Sequence, residues 1–135
     1  MDNLPILPDL NSMPSVLEVA EVNAALDQII AAAEHNPTVQ RNAAVELMVD
    51  AIFAQGYRPG ERLDGKLSEH ILRWIQAEWT MGDIAFAAYA TTVLANLNCA
   101  GVGQFVRELL ASDQRDPIQE SLRSCLREYT AWPPN

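Results

Sequence analysis

His35 and His70 are the two imidazoles in this chain of 135 residues, and imidazole is the group from which acid–base and metal chemistry near neutral pH is most readily built. Each directly follows a glutamate, Glu34 and Glu69. Neighbouring helical residues project about 100° apart, so neither Glu–His pair can converge on one ion as the Glu-x-x-His motifs of di-iron bundles do. A zinc site needs three or four ligands, and no further ligand type stands three or four residues from either histidine. The expectation is therefore no metal and no cofactor. His35 belongs near the last carbonyls of a helix, and His70 at the edge of a buried face.

The other candidates are equally isolated. Glu18-x-x-Glu21 has the spacing of the carboxylate pairs that hold magnesium in all-helical phosphohydrolases, but it has no second copy, and a metal among phosphates draws ligands from more than one turn. Helix capping accounts for Glu18 more simply. Gly101-Val102-Gly103 precedes a helical pattern without the strand, third glycine or lysine of a phosphate cradle. The serines sit in no nucleophile elbow. Cys99 and Cys125 form no Cys-x-x-Cys pair and fall at apolar helical positions, where small thiols are buried as hydrophobes. No catalytic set emerges, and the chain reads as a non-enzyme.

Glu78 is the one acid placed inside an apolar stripe, between Ile71 and Ile75 on a helical wheel. A carboxylate buried there needs a cation or carries a raised pKa. Arg58 and Arg62 in the preceding loop are the nearest partners in sequence. Trp74, Glu78 and Tyr89, with those two arginines, outline a pocket between the third and fourth helices. This is the basis of the rival expectation, a small-molecule-binding or enzymatic helical bundle.

The elements that would position these groups are all helical. Apolar residues recur at helical spacing from Val19 to Ala33, Val39 to Ala54, Leu67 to Trp79, Ile84 to Cys99, Val102 to Leu110 and Ile118 to Tyr129. No period-2 strand pattern interrupts them. The fold class expected is all-α: a bundle of about six helices, in antiparallel hairpins around a central apolar helix. Capping signals set its punctuation. Ser15 with Glu18 opens helix 1, Asn36-Pro37 opens helix 2, Thr80 with Asp83 opens helix 4 and Asp116-Pro117 opens helix 6. Residues 1–14 are dense in proline and aliphatics, which predicts an extended strap lying in a groove of its own domain or of a second copy. Residues 15–135 form the domain.

Ile84 to Val106 carries no charge and is long enough to span a bilayer. Thr91, Thr92, Asn96, Asn98 and Gln104, with the breaks at Gly101 and Gly103, fit a buried helix better. Small residues on one side of that helix predict close approach by a neighbour. The start Met1-Asp2-Asn3 lacks the basic region of a secretory leader, and a cytoplasmic location is expected.

Charge supplies the leading functional expectation. The chain carries a net −9, which opposes binding to phosphate backbones or anionic membranes; neither nucleic acid nor membrane is an expected partner. Residues 1–50 hold eight acids against Arg41 alone, and the remainder ten acids against eight bases. Glu21, Asp27, Glu34, Glu46 and Asp50 thus form a candidate acidic interaction face on the first two helices. Trp74, Trp79 and Trp132 add the residue type enriched in interface anchors. The expected function is a non-enzymatic protein-interaction module, of the acidic-inhibitor, immunity or adaptor kind, whose partner is another and basic protein. Strap exchange in a homodimer is compatible with it.

Overall fold

The computed structural model describes residues 4–55, 62–80, 83–112, 116–131 and 134. Among them are a 3-10 turn at Leu10–Ser12 and six α-helices: α1 (Val19–His35), α2 (Arg41–Phe53), α3 (Gly65–Glu78), α4 (Ile84–Ala95), α5 (Gly101–Ser112) and α6 (Asp116–Ala131). The chain is all-α. The sole β-type pairing among the described residues is an isolated parallel bridge between Leu17 and Gln55.

That bridge explains why α1 begins later than the Ser15 signal indicates. The Leu17 amide donates to the Ala54 carbonyl at 2.8 Å, and the Leu17 side chain is 2% exposed. Burying Leu17 against the end of α2 requires extended backbone there, which outweighs a serine cap worth about 1 kcal/mol. The capping box shifts by three residues to Glu18 and Glu21, with Glu21 Oε1 accepting from the Glu18 amide at 3.0 Å. Glu18-x-x-Glu21 is therefore helix-start chemistry.

Helix 2 is also shorter than expected, starting at Arg41 with Gln40 as its cap. Asn36 caps the end of α1 instead, its amide donating to Ala32 O at 3.0 Å. Its side-chain oxygen accepts from the Thr38 amide (3.1 Å) and hydroxyl (2.7 Å), and its Nδ2 donates to Pro5 O at 2.9 Å. A buried asparagine so fully engaged closes a turn over Pro37 and postpones the helix. The five residues 36–40 fold α2 back along α1, which brings the start of one beside the end of the other.

Residues 4–14 run along this hairpin. Gln28 Nε2 donates to Ile6 O at 3.0 Å, and Leu7, Leu10 and Met13 pack against the core.

The uncharged stretch from Ile84 to Val106 divides between α4 and α5, and no helix among the described residues is long and apolar enough to cross a membrane. Asp83, expected inside the first turn of helix 4, is itself the cap, with Oδ1 accepting from the Phe86 amide at 2.9 Å. Leu97 and Cys99 lie beyond the helix end yet remain buried.

The helices close a ring. α1 packs chiefly on α2 and α3, α2 also on α4, α4 also on α6, α6 also on α5, and α5 returns to α3. The α1/α2 hairpin and the α5/α6 hairpin thus stand on opposite sides, joined by α3 and α4. Phe86, 1% exposed, lies between Trp74 and Trp79, each edge-on at 6.1 Å between ring centroids. Trp79 in turn meets Phe105 of α5 edge-on at 6.0 Å. This aromatic chain spans the ring interior and exploits the edge-to-face preference of quadrupolar rings.

Candidate functional site

The expected pocket residues are dispersed. Trp74 is buried with its edge against Phe86, which fills the space between α3 and α4 at that level. On its other side Trp74 joins Glu78 in a groove of about 430 Å³, which is completed by Ala33 and Glu34 of α1 with His70, Arg73 and Ala77 of α3. Tyr89 does not line this groove. Arg58 lies outside the described residues. Arg62 is half-buried beside Leu63, and burial lowers its pKa.

Glu78, half-buried in the last turn of α3, is met by a different arginine through its backbone. Arg41 Nη1 donates to Glu78 O at 2.5 Å and to Thr80 Oγ1 at 2.7 Å, while Nη2 pairs with Asp83 Oδ2 at 2.5 Å. The same guanidinium lies over Phe86, 5.0 Å from its centroid. The Phe86 amide, followed by the Arg41 guanidinium, holds the Asp83 carboxyl below its ordinary pKa. Arg41 therefore staples the start of α2 to the α3–α4 connection. Its isolation as the one base among eight acids was the available sequence signal, but the distant acceptors were not visible there.

The five acids of the candidate face have unequal roles. Glu21 is occupied at the α1 start, and Glu34 pairs with His70 Nε2 at 2.5 Å, tying α1 to α3. Asp27, Glu46 and Asp50 are exposed. Arg41–Asp83 and the His70–Glu34 contact do not involve these three, and none of them has a cationic partner among the described residues. On α2, Glu46, Asp50 and Phe53 fall within an arc of about 60°. Phe53 is 70% exposed, and Val16, next to the Leu17–Ala54 hydrogen bond, is 61% exposed. A cavity of about 340 Å³ borders them, lined by Pro8, Asp9, Leu10 and Pro14 of the strap with Leu47 and Asp50 of α2 and Ala54, the residue that caps its end.

Across the ring the chemistry reverses. Arg107 of α5 and Arg123 and Arg127 of α6, with Leu126 and Thr130, line a groove of about 370 Å³. The i,i+4 spacing of Arg123 and Arg127 was legible, but the approach of Arg107 depends on the α5/α6 packing. On the opposite flank of α6, Thr91 and Thr92 of α4 with Glu120, Ser121, Ser124 and Glu128 line a hydroxyl-rich cleft of about 420 Å³. Cys125 lies at its floor with its thiol pushed up to about 12 by burial, and burial likewise raises Cys99. Neither thiol offers a thiolate near neutral pH. No group of three or more His, Cys, Asp or Glu able to hold a metal occurs among the described residues.

No protein-family model, curated protein or solved structure matches the chain.

Proposed function

We propose that this protein is a protein-interaction module that docks a basic partner on the outer face of α2. The observation that carries this reading is Phe53, an aromatic side chain left 70% exposed on the same arc as Glu46 and Asp50. Burying such a ring is worth roughly 2–3 kcal/mol, and a central aromatic within a charged rim is the composition of a binding hot spot. Val16 widens the apolar centre, and Asp9 on the strap adds to the negative rim. The partner surface that fits is an apolar pocket bordered by lysine or arginine. Opposite charge accelerates encounter with such a surface and makes it salt-sensitive. The acidic-inhibitor and adaptor roles are both instances of this docking.

The full chain immobilised at low salt, with partners eluted by a salt gradient and identified by mass, tests the idea. A basic protein should be retained by the native chain, lost with Phe53→Ser and released earlier from Glu46→Lys/Asp50→Lys. Equal retention by all three would exclude the α2 face.

A further inference from the structure

We infer that the α5/α6 groove is a binding site for a small organic dianion, with a phosphate-monoester head and an apolar body. This inference is independent of the α2 docking face, since it rests on residues across the ring.

The chain is short of positive charge, yet three of its nine basic residues converge on one groove. Arg123 and Arg127 sit one turn apart on α6, a like-charge spacing that disfavours the isolated helix, and Arg107 faces them from α5. None has a carboxylate partner among the described residues. The nearest acids on α6, Glu120 and Glu128, line the opposite flank toward α4. Arg123 Nη2 donates to the neutral Gln119 Oε1 at 2.9 Å, which orients the guanidinium without cancelling its charge. Three guanidinium groups with no carboxylate partner among the described residues therefore share the groove, and an anion there would offset their mutual repulsion.

The groove also limits the size and shape of its ligand. Its volume of about 370 Å³ falls at the lower end of small-molecule sites, which run from roughly 300 Å³ upward. Half-buried Leu126 and the aliphatic arginine stems supply an apolar wall. Thr130 Oγ1 already donates to Leu126 O at 2.9 Å, leaving it an acceptor, so the anionic head is held by the arginines alone. Guanidinium forks match phosphate oxygens bidentately, and three of them suit a doubly charged head better than a single carboxylate. A polyanion is disfavoured by the net −9 of the chain.

Titrating the full chain with phenyl phosphate, benzoate and phenol, followed by backbone amide NMR shifts, tests the site. Phenyl phosphate should saturate and shift α5 and α6 amides, benzoate should bind more weakly and phenol should not bind. Arg123→Gln and Arg127→Gln should each weaken phenyl phosphate about tenfold, and Arg127→Lys should weaken it less. The arginines are exposed at the surface, and circular dichroism of each variant establishes that it is folded. Absence of saturation by phenyl phosphate, affinity unchanged in the glutamine variants, or benzoate binding as tightly as phenyl phosphate would each overturn the assignment.

Discussion

Arg41 donates to the Glu78 carbonyl and the Thr80 hydroxyl and pairs with Asp83, all from one guanidinium that also covers Phe86. Its side chain is 29% exposed and that of Asp83 21%, so the network is screened only in part. Arg41→Met should lower stability by about 1–3 kcal/mol, because three acceptors lose a charged donor while part of the packing survives. Asp83→Asn should cost less, about 1 kcal/mol, since asparagine still caps α4. Urea unfolding of both variants measures the difference. The pH dependence follows from the depressed folded pKa of Asp83. Its contribution is present above the unfolded carboxyl value near pH 4 and is lost as pH falls through the lower folded value. The gap between the native chain and Asp83→Asn should therefore close toward pH 2.

Elements of this protein are spaced by their smallest residues. Both Gly101 and Gly103 lie in the first turn of α5 rather than before it, so they act through packing and not as a phosphate cradle. A Cβ at Gly103 would stand 3.2 Å from Tyr129 Cε1 and 3.0 Å from an Arg107 nitrogen. The arginine can swing away, but the tyrosine ring is held by its hydroxyl, which donates to Cys99 O at 3.0 Å and Ala100 O at 3.2 Å. Gly103→Ala should thus destabilise by about 1 kcal/mol, overpacking at α5/α6 outweighing the gain in helix propensity. At Gly101 the crowding atom is the terminal Leu72 Cδ2 at 3.0 Å, which can rotate. Gly101→Ala should be neutral or slightly stabilising, and thermal melts of the two variants should move apart.

At the scale of the whole molecule, the aromatic chain from Trp74 through Phe86 and Trp79 to Phe105 joins α3, α4 and α5 inside the ring. Phe86→Ala removes its centre and the surface beneath Arg41 together. A loss of about 3–5 kcal/mol is expected, which in a domain of this size is a large share of total stability. Hydrogen exchange should show the effect in α3 and α5 as well as α4; protection lost from α4 alone would mean that the ring does not unfold as one unit. The same ring separates the two candidate surfaces, with the exposed acids and Phe53 on the α1/α2 side and the arginine groove on the α5/α6 side. Phe53→Ser should leave phenyl phosphate binding intact, and Arg123→Gln should leave partner retention intact.

Periodicity of apolar residues alone determined the all-α class and the existence of each helix, because 3.6-residue spacing is a local property written along the chain. Asp116-Pro117 and the break near Gly101 were legible for the same reason. The starts of α1, α2 and α4 were displaced by three or four residues, since Leu17, Asn36 and Asp83 answer to partners far along the chain, Ala54, Pro5 and Arg41. Glu78 stands out in the sequence and Trp74 is expected beside it, but their groove is shared with α1 rather than α4. Which helices become neighbours depends on how apolar faces interdigitate in three dimensions, and no local spacing encodes that. The meeting of Arg107 with Arg123 and Arg127, and the exposure of Phe53, were therefore decided by tertiary packing alone.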